Sequence, residues 1–255
     1  MALLEVSALS RSFGGLQAVS DVSFNVEEGS IKSVIGPNGA GKTTLFNLIS
    51  GFLRPDRGEV TFRGTAMGGR KPHQVAARRL SRTFQHIQLF PHMSVLENVM
   101  MGRHIHTGAG FIAGMLRLPW SLQETRRNME KCREVLDLLD LGRLAGKEAT
   151  SLAYGQQRVV ELARALASEP LLLLLDEPAA GLNMRETADM SDLIVRIREM
   201  DVTVLIVEHD MSLVMGISDE IMVLSYGSKI AEDTPRGIQK NSEVIRVYLG
   251  DEDDA

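Results

Sequence analysis

Apolar residues fall along this chain in three patterns, and each predicts a different kind of element. Ile31 to Ile35, Leu171 to Leu175, Thr203 to Val207 and Ile221 to Leu224 are short runs with few polar interruptions, Lys32 and Ser33 among them. Runs of this length, apolar on both faces, are expected as buried strands of a parallel sheet. Between them, Thr43 to Ser50, Val159 to Ala167 and Glu186 to Met200 read as helices. Strands that alternate with helices predict an α/β fold. The second pattern lies in the N-terminal part. Leu3 to Leu9, Val19 to Val26 and Glu59 to Phe62 are alternating or short strands parted by turn residues. They suggest a small antiparallel β subdomain beside the parallel sheet. The third pattern runs from Ser94 to Arg143, where no convincing strand is seen. Within it, Glu124 to Leu141 carries Met129, Cys132, Val135, Leu136, Leu138 and Leu139. That is the stripe of an amphipathic helix packed within the protein. Gly108 to Gly114 reads as a flexible or loosely helical insertion.

Composition narrows the setting. Aromatics are 5% of the 255 residues, so Leu, Val, Ile and Met must fill the core. The formal charge of -5 argues against a nucleic-acid partner, which calls for a basic footprint. Asp251, Glu252, Asp253 and Asp254 read as a solvated tail. Cys132 is the one cysteine, which excludes an intramolecular disulfide and fits a reducing compartment. Glu5 and Arg11 interrupt the apolar stretch at the N-terminus, so no signal peptide is expected. No window approaches the about 18 apolar residues that span a bilayer. Any action at a membrane then requires docking onto a spanning partner. Arg78, Arg79 and Arg82 read as a solvated helix face. His104 and His106 read as surface residues rather than metal ligands.

The clearest chemistry is Gly36-Pro37-Asn38-Gly39-Ala40-Gly41-Lys42-Thr43, a complete phosphate-loop pattern between an expected strand and an expected helix. Its glycines let the backbone curl so that N–H groups face phosphate oxygens. The helix that follows adds its positive dipole end. Lys42 supplies an ammonium for the β- and γ-phosphates, and the Thr43 hydroxyl is a candidate Mg²⁺ ligand. A second half should be an acid at the end of a buried strand. Asp176, after Leu171 to Leu175, is placed to hold Mg²⁺ through water, and Glu177 to polarise the attacking water as general base. These features alone define a nucleoside triphosphatase that uses ATP or a related nucleotide with Mg²⁺.

Further segments, in order, carry a resemblance. Gln85 ends Arg82-Thr83-Phe84. Leu152-Ala153-Tyr154-Gly155-Gln156 precedes a helix, Ala180-Gly181-Leu182-Asn183 follows the acidic pair, and His209 follows the strand Thr203 to Val207. With the phosphate loop and the acidic pair, the series resembles the ATP-binding cassette (ABC) family: Walker A, Q-loop, signature, Walker B, D-loop and switch histidine. The resemblance covers essentially the whole chain. It implies a P-loop NTPase core with a mainly parallel sheet, an N-terminal antiparallel β subdomain and an inserted α-helical subdomain. The boundaries expected are 1–90 with 160–232 for the nucleotide-binding core, 91–159 for the helical subdomain ending in the signature, and 233–255 for a C-terminal helix and tail.

The resemblance also implies roles. Catalysis falls to Glu177, His209 and Gln85, with His209 donating to the γ-phosphate. Mg²⁺ falls to Thr43, Gln85 and Asp176. ATP is contacted by the loop from Gly36 through Thr43 and Thr44, by Ala153, Tyr154, Gly155, Gln156 and Asn183, and by Phe13, whose ring is expected to stack on adenine. The signature closes over ATP bound by an opposing subunit, so one loop and one signature per chain imply a head-to-tail dimer. Two residues depart from the usual pattern. Ala153 replaces Ser and removes a hydroxyl donor, worth about 1–3 kcal/mol toward a charged partner, and Asn183 replaces Asp.

LAYGQ, AAGLN, the insertion Gly102 to Trp120, the run Glu208 to Asp219 and the ending Arg246 to Gly250 resemble the longer ATPase of branched-chain amino-acid (LIV-type) importers. That implies integral-membrane permease subunits, a second ATPase subunit in a homo- or heterodimer, an extracytoplasmic solute-binding protein acting indirectly, and a peripheral position at the cytoplasmic face of the cell membrane. A urea or amide importer is the nearest alternative. A lipid or lipopolysaccharide exporter and a non-transport cassette ATPase stand further off.

Overall fold

Strand β3 (Ile31–Ile35) is buried at all five positions, Lys32 included, and it anchors the larger of two sheets. In this computed structural model, which describes residues 2–106 and 119–249, the larger sheet has the order β10-β9-β3-β8-β7-β6. Here β6 is Leu80–Arg82, β7 Leu172–Asp176, β8 Thr203–Val207, β9 Glu220–Ser225 and β10 Ser228–Asp233. All neighbours are parallel except the edge strand β10, which returns antiparallel to β9. Strands β7 and β8 are buried at every position, like β3. Burial of each Leu of β7 stabilises the fold by about 1.5–3 kcal/mol. The smaller sheet is antiparallel, in the order β2-β1-β4-β5. It is built from β1 (Ala2–Phe13), β2 (Leu16–Glu27), β4 (Arg57–Phe62) and β5 (Thr65–Ala66). The α/β class, the parallel sheet and the antiparallel β subdomain are as the sequence predicts.

The chain forms two compact units. One comprises residues 1–82 and 171–255, the other residues 83–170. The first holds both sheets, with helices α1 (Lys42–Ile49) and α2 (Pro72–Ala76), and then α6 (Met184–Arg198), α7 (Met211–Ile217), α8 (Pro235–Ile238) and α9 (Ser242–Leu249). The second is helical. It holds α3 (Val95–Gly102), α4 (Pro119–Leu138) and α5 (Tyr154–Leu166). Ser94 opens α3 with a capping box, its Oγ accepting from the Glu97 N–H while Glu97 accepts from the Ser94 N–H. Cys132 and Leu136 of α4 are buried, as is Leu139 just beyond it, so the amphipathic stripe packs inward as expected. The insertion reading at Gly108 to Gly114 and the acidic tail lie outside the described residues.

One feature differs from the sequence reading. Arg82 is not on a solvated helix face. It ends β6 with a side chain only 6% exposed, paired to Asp176 at 2.8 Å. Its other amino group donates to Asn47 Oδ1 and Ser50 Oγ of α1 and of the residue after it. Arg78 and Arg79, which precede the strand, are exposed.

Candidate functional site

The phosphate cradle is shaped where β3 gives way to α1. Gly36 has φ 151°, and a side chain there would put Cβ 2.1 Å from the Leu224 carbonyl oxygen of β9. Gly41, the residue before α1, has φ 99°, and a Cβ would meet the Ala18 carbonyl oxygen at 2.3 Å. Both positions therefore exclude any residue but glycine, on space and on conformation. No side chain caps α1, so its first-turn N–H groups point into the loop. Thr43 is exposed and Thr44 half-buried at the start of that helix. Asn38 and Gly39 are exposed at the loop tip, while Ala40 is buried beneath it. The curl could accept an anion in its concave face, so the residues present fit a bound phosphate chain.

Lys42 closes the loop. The residue is 8% exposed, and its ammonium donates to the carbonyl oxygens of Gly36 at 2.6 Å and Pro37 at 3.0 Å. Burial lowers its pKa, while the Glu177 and Asp176 carboxylates oppose that fall. The electrostatics thus place the lysine among the same charges that the sequence assigns to Mg²⁺ and to general base. β7 lies beside β8, and β8 beside β3, which brings Asp176 and Glu177 to the carboxyl end of the sheet near the cradle.

Glu177 is held outside ordinary geometry. It has φ 49°, and its N–H donates to the Val207 carbonyl at 2.9 Å. A non-glycine residue in this region costs about 1–3 kcal/mol and persists where the surroundings fix it. The result lifts its carboxylate out of line with β7, 19% exposed, with Oε2 3.8 Å from His209 Nδ1. The imidazole of His209 is 63% exposed.

A residue that the sequence reading passed over fixes this pair. Glu208 is fully buried. Its Oε1 accepts from the Ala179 N–H at 2.8 Å, and its Oε2 from the N–H groups of His209 at 2.8 Å and Asp210 at 3.2 Å. One carboxylate thereby joins the turn after β7 to the turn after β8. Asp210 then caps α7 by accepting from Ser212 and Leu213. Glu208→Ala should leave three backbone donors without their acceptor, that of Ala179 buried, and destabilise the fold by about 2 kcal/mol. Chemical denaturation checks this, and an unchanged midpoint would remove the anchoring role. The one signal in the sequence was a carboxylate directly after an apolar strand.

Asn183 is an N-cap. Its Oδ1 accepts from Arg185 and Glu186, and Glu186 accepts in return from the Asn183 N–H, so a capping box opens α6. Phe13 stands 44% exposed at the end of β1, with the Arg11 guanidinium 4.9 Å from its ring centroid.

Gln85 and the segment Ala153 to Gln156 belong to the helical unit. Gln85 is exposed. Ala153 precedes α5 without a side-chain cap, and Tyr154, 47% exposed, opens the helix. Gly155 is half-buried and Gln156 exposed. Among the described residues no cluster of His, Cys, Asp and Glu has the arrangement of a dedicated metal site. His106 lies half-buried, with Nε2 2.9 Å from the Ser168 carbonyl oxygen. No helix of the described residues is long and apolar enough to cross a membrane.

A glycine loop between a buried strand and a helix, with a lysine set among carboxylates from a neighbouring strand, defines the class of phosphate-loop nucleotide-binding proteins. Residues 19–180 match the ABC transporter family model, and residues 228–254 match that of the branched-chain amino acid ATP-binding cassette transporter. The chain is 45% identical over 250 residues to a high-affinity branched-chain amino acid transport ATP-binding protein of Pseudomonas aeruginosa, covering 98% of each. It is 42% identical to one of Escherichia coli, again over 98% of each. Among solved structures, an ATP-binding cassette of an ABC transporter in its ADP conformation superposes with a TM-score of 0.86 at 31% identity, covering 98% of this chain and 99% of that one. A dimeric bacterial ABC transporter cassette matches at TM-score 0.76 and 26% identity, covering 92% and 99%. The chain belongs to the ABC transporter family, whose ATP-binding proteins are ATPases.

Proposed function

We propose that this chain is the ATPase subunit of an importer for branched-chain amino acids, docked at the cytoplasmic face of the membrane on integral-membrane permease subunits. The observation that carries the ATPase part is the cradle itself, with Lys42 held between the Gly36 and Pro37 carbonyls and within the field of Asp176 and Glu177. The solute class rests on the relatives matched over nearly the whole chain and on the C-terminal match at residues 228–254.

In this reading the cradle N–H groups from Gly36 to Thr44 hold the phosphates of ATP, and Phe13 stacks on its base. Thr43, Asp176 and Gln85 would hold Mg²⁺, which would supply charge neutralisation for the phosphates. Glu177 takes the proton of the attacking water, and His209 donates a hydrogen bond to the γ-phosphate. Ala153, Tyr154, Gly155 and Gln156, with Asn183, serve the nucleotide of the opposing subunit in a head-to-tail dimer with a second ATPase subunit. The solute-binding protein acts through the permeases, without touching this chain.

An affinity pull-down of the tagged chain from its native membranes in mild detergent tests this. Two polytopic permeases and a second cassette ATPase are the expected partners. Recovery of ribosomal or DNA-associated proteins instead would overturn the transporter reading and leave the ATPase alone.

A further inference from the structure

The helical unit contains a side-chain connection that neither the family nor the motif roles assign. Arg158, one turn into α5, is 4% exposed. Its Nη2 donates to the Gln85 carbonyl oxygen at 2.7 Å and to the Tyr154 hydroxyl at 3.0 Å, and its Nη1 donates to the Phe84 carbonyl oxygen at 3.2 Å. The guanidinium also lies 5.4 Å from the centroid of the Tyr154 ring. One planar cation thus grips the backbone at Gln85 with one edge and the first residue of α5 with the same fork. A guanidinium presents its donors to all three acceptors in a fixed planar fork, which the rotating ammonium of a lysine lacks.

The bracing behind it is charged and buried. Glu161 is 2% exposed and sits 3.7 Å from Arg158 and 3.6 Å from Arg164. Arg164 donates to the Gln88 carbonyl oxygen at 2.6 Å, with its guanidinium 5.8 Å from the Phe90 ring. Burial pushes the Glu161 carboxyl up, while Arg164 and Arg158 pull it down. Two arginines on one face of α5 therefore hold the backbone of residues 84–88, and one buried carboxylate sets both. These bonds tie the segment carrying Gln85 to the start of α5.

We propose that Tyr154 and Arg158 form a positioning relay that fixes the Gln85 backbone according to what meets the exposed face of Tyr154. The proposal rests on the reading of Gln85 as a catalytic residue and of Tyr154 as part of the surface that meets the opposing subunit's nucleotide. Tyr154 is suited to this because its ring stands at the surface while its hydroxyl faces inward to Arg158. Displacement of the Tyr154 ring by a docking subunit is transmitted through Arg158 to the carbonyl of Gln85. Arg158 touches no nucleotide in this scheme, so it alters the rate and leaves the first ATP-binding step alone.

The test uses the purified full chain with steady-state ATPase kinetics, fluorescent-nucleotide affinity and thermal melting. Arg158→Lys keeps the charge and loses the fork, and should lower kcat roughly tenfold with KM shifted less than about twofold. Tyr154→Phe removes only the hydroxyl at an exposed helix start and should lower kcat in the same direction, by roughly threefold. The double variant should turn over no more slowly than Arg158→Lys alone, because both substitutions break one connection. Multiplying losses in the double variant, or an unchanged kcat in Arg158→Lys with an unchanged melt, overturns the relay. If Arg158→Lys does not fold, Tyr154→Phe decides: an unchanged kcat overturns the proposal. Absence of any ATP turnover in the parent chain would instead refute the ATPase reading itself.

Discussion

Glu177→Gln should bind ATP as the parent chain does, turn it over about 100- to 10,000-fold more slowly, and accumulate as an ATP-bound dimer. The carboxylate is held for this work by its backbone. The φ of 49° and the N–H bond to Val207 turn the side chain off the line of β7, beside His209 rather than into the sheet. Glutamine keeps the shape and the hydrogen-bonding reach but cannot accept the proton of water. Substrate binding is left to the cradle, which the substitution does not touch. Steady-state phosphate release measures the rate, and light scattering with and without ATP measures the dimer. Turnover at the parent rate would remove Glu177 from the base role and shift attention to the other carboxylate at the strand end, Asp176.

Lys42→Ala should lose roughly 100-fold or more in ATP affinity. Two charge-assisted bonds disappear, each worth about 1.5–3 kcal/mol when the partner is charged. The side chain has a second duty in the structure. It spans the loop by donating to the Gly36 and Pro37 carbonyls, so its removal also releases the curl that aligns the N–H groups. Titration calorimetry reads the affinity, and a thermal melt without nucleotide separates loss of binding from loss of fold. Unchanged affinity would mean that the loop's backbone alone holds the nucleotide.

The legible part of the fold was the part with long or two-faced apolar patterning. Strands β3, β7 and β8 are buried along their whole length, so their sequences carry no alternation and read as runs. Helices α1, α5 and α6 fell within two residues of their expected ends apart from the start of α5, which lies upstream at Tyr154. Edge strands were harder. β10 is only partly buried along its length and carries Lys229, Glu232 and Asp233, so it shows no apolar run, and it is the pairing with β9 that makes it a strand. β6 is three residues long, too short for any period to show.

The chemistry divided along the same physical line. Gly36 to Thr43 and Asp176-Glu177 are legible because their spacing is imposed by the ligand. Arg82, Arg158 and Glu208 are not, because each works on a partner far away in sequence. Arg82 faces Asp176, Arg158 faces Phe84 and Gln85, and Glu208 faces Ala179. A buried charge looks the same in a sequence as a solvated one. Lys32 is the plainest case. It interrupts an apolar strand, yet is 2% exposed and satisfied by Glu220 at 2.6 Å, by Glu232 and by the Asn25 carbonyl.

The partnership of Arg82 with Asp176 has a further consequence for how a nucleotide is attracted. Around the cradle, Lys42 and Arg82 stand against Asp176, Glu177 and the buried Glu208, so the fixed cations do not outnumber the fixed anions. Such a site has no net positive charge with which to draw a polyanion from a distance. Capture must rely on oriented N–H groups and the α1 dipole, whose reach ends within a turn. ATP association with this chain is therefore expected to be nearly indifferent to ionic strength, unlike sites that concentrate phosphate ligands by long-range field.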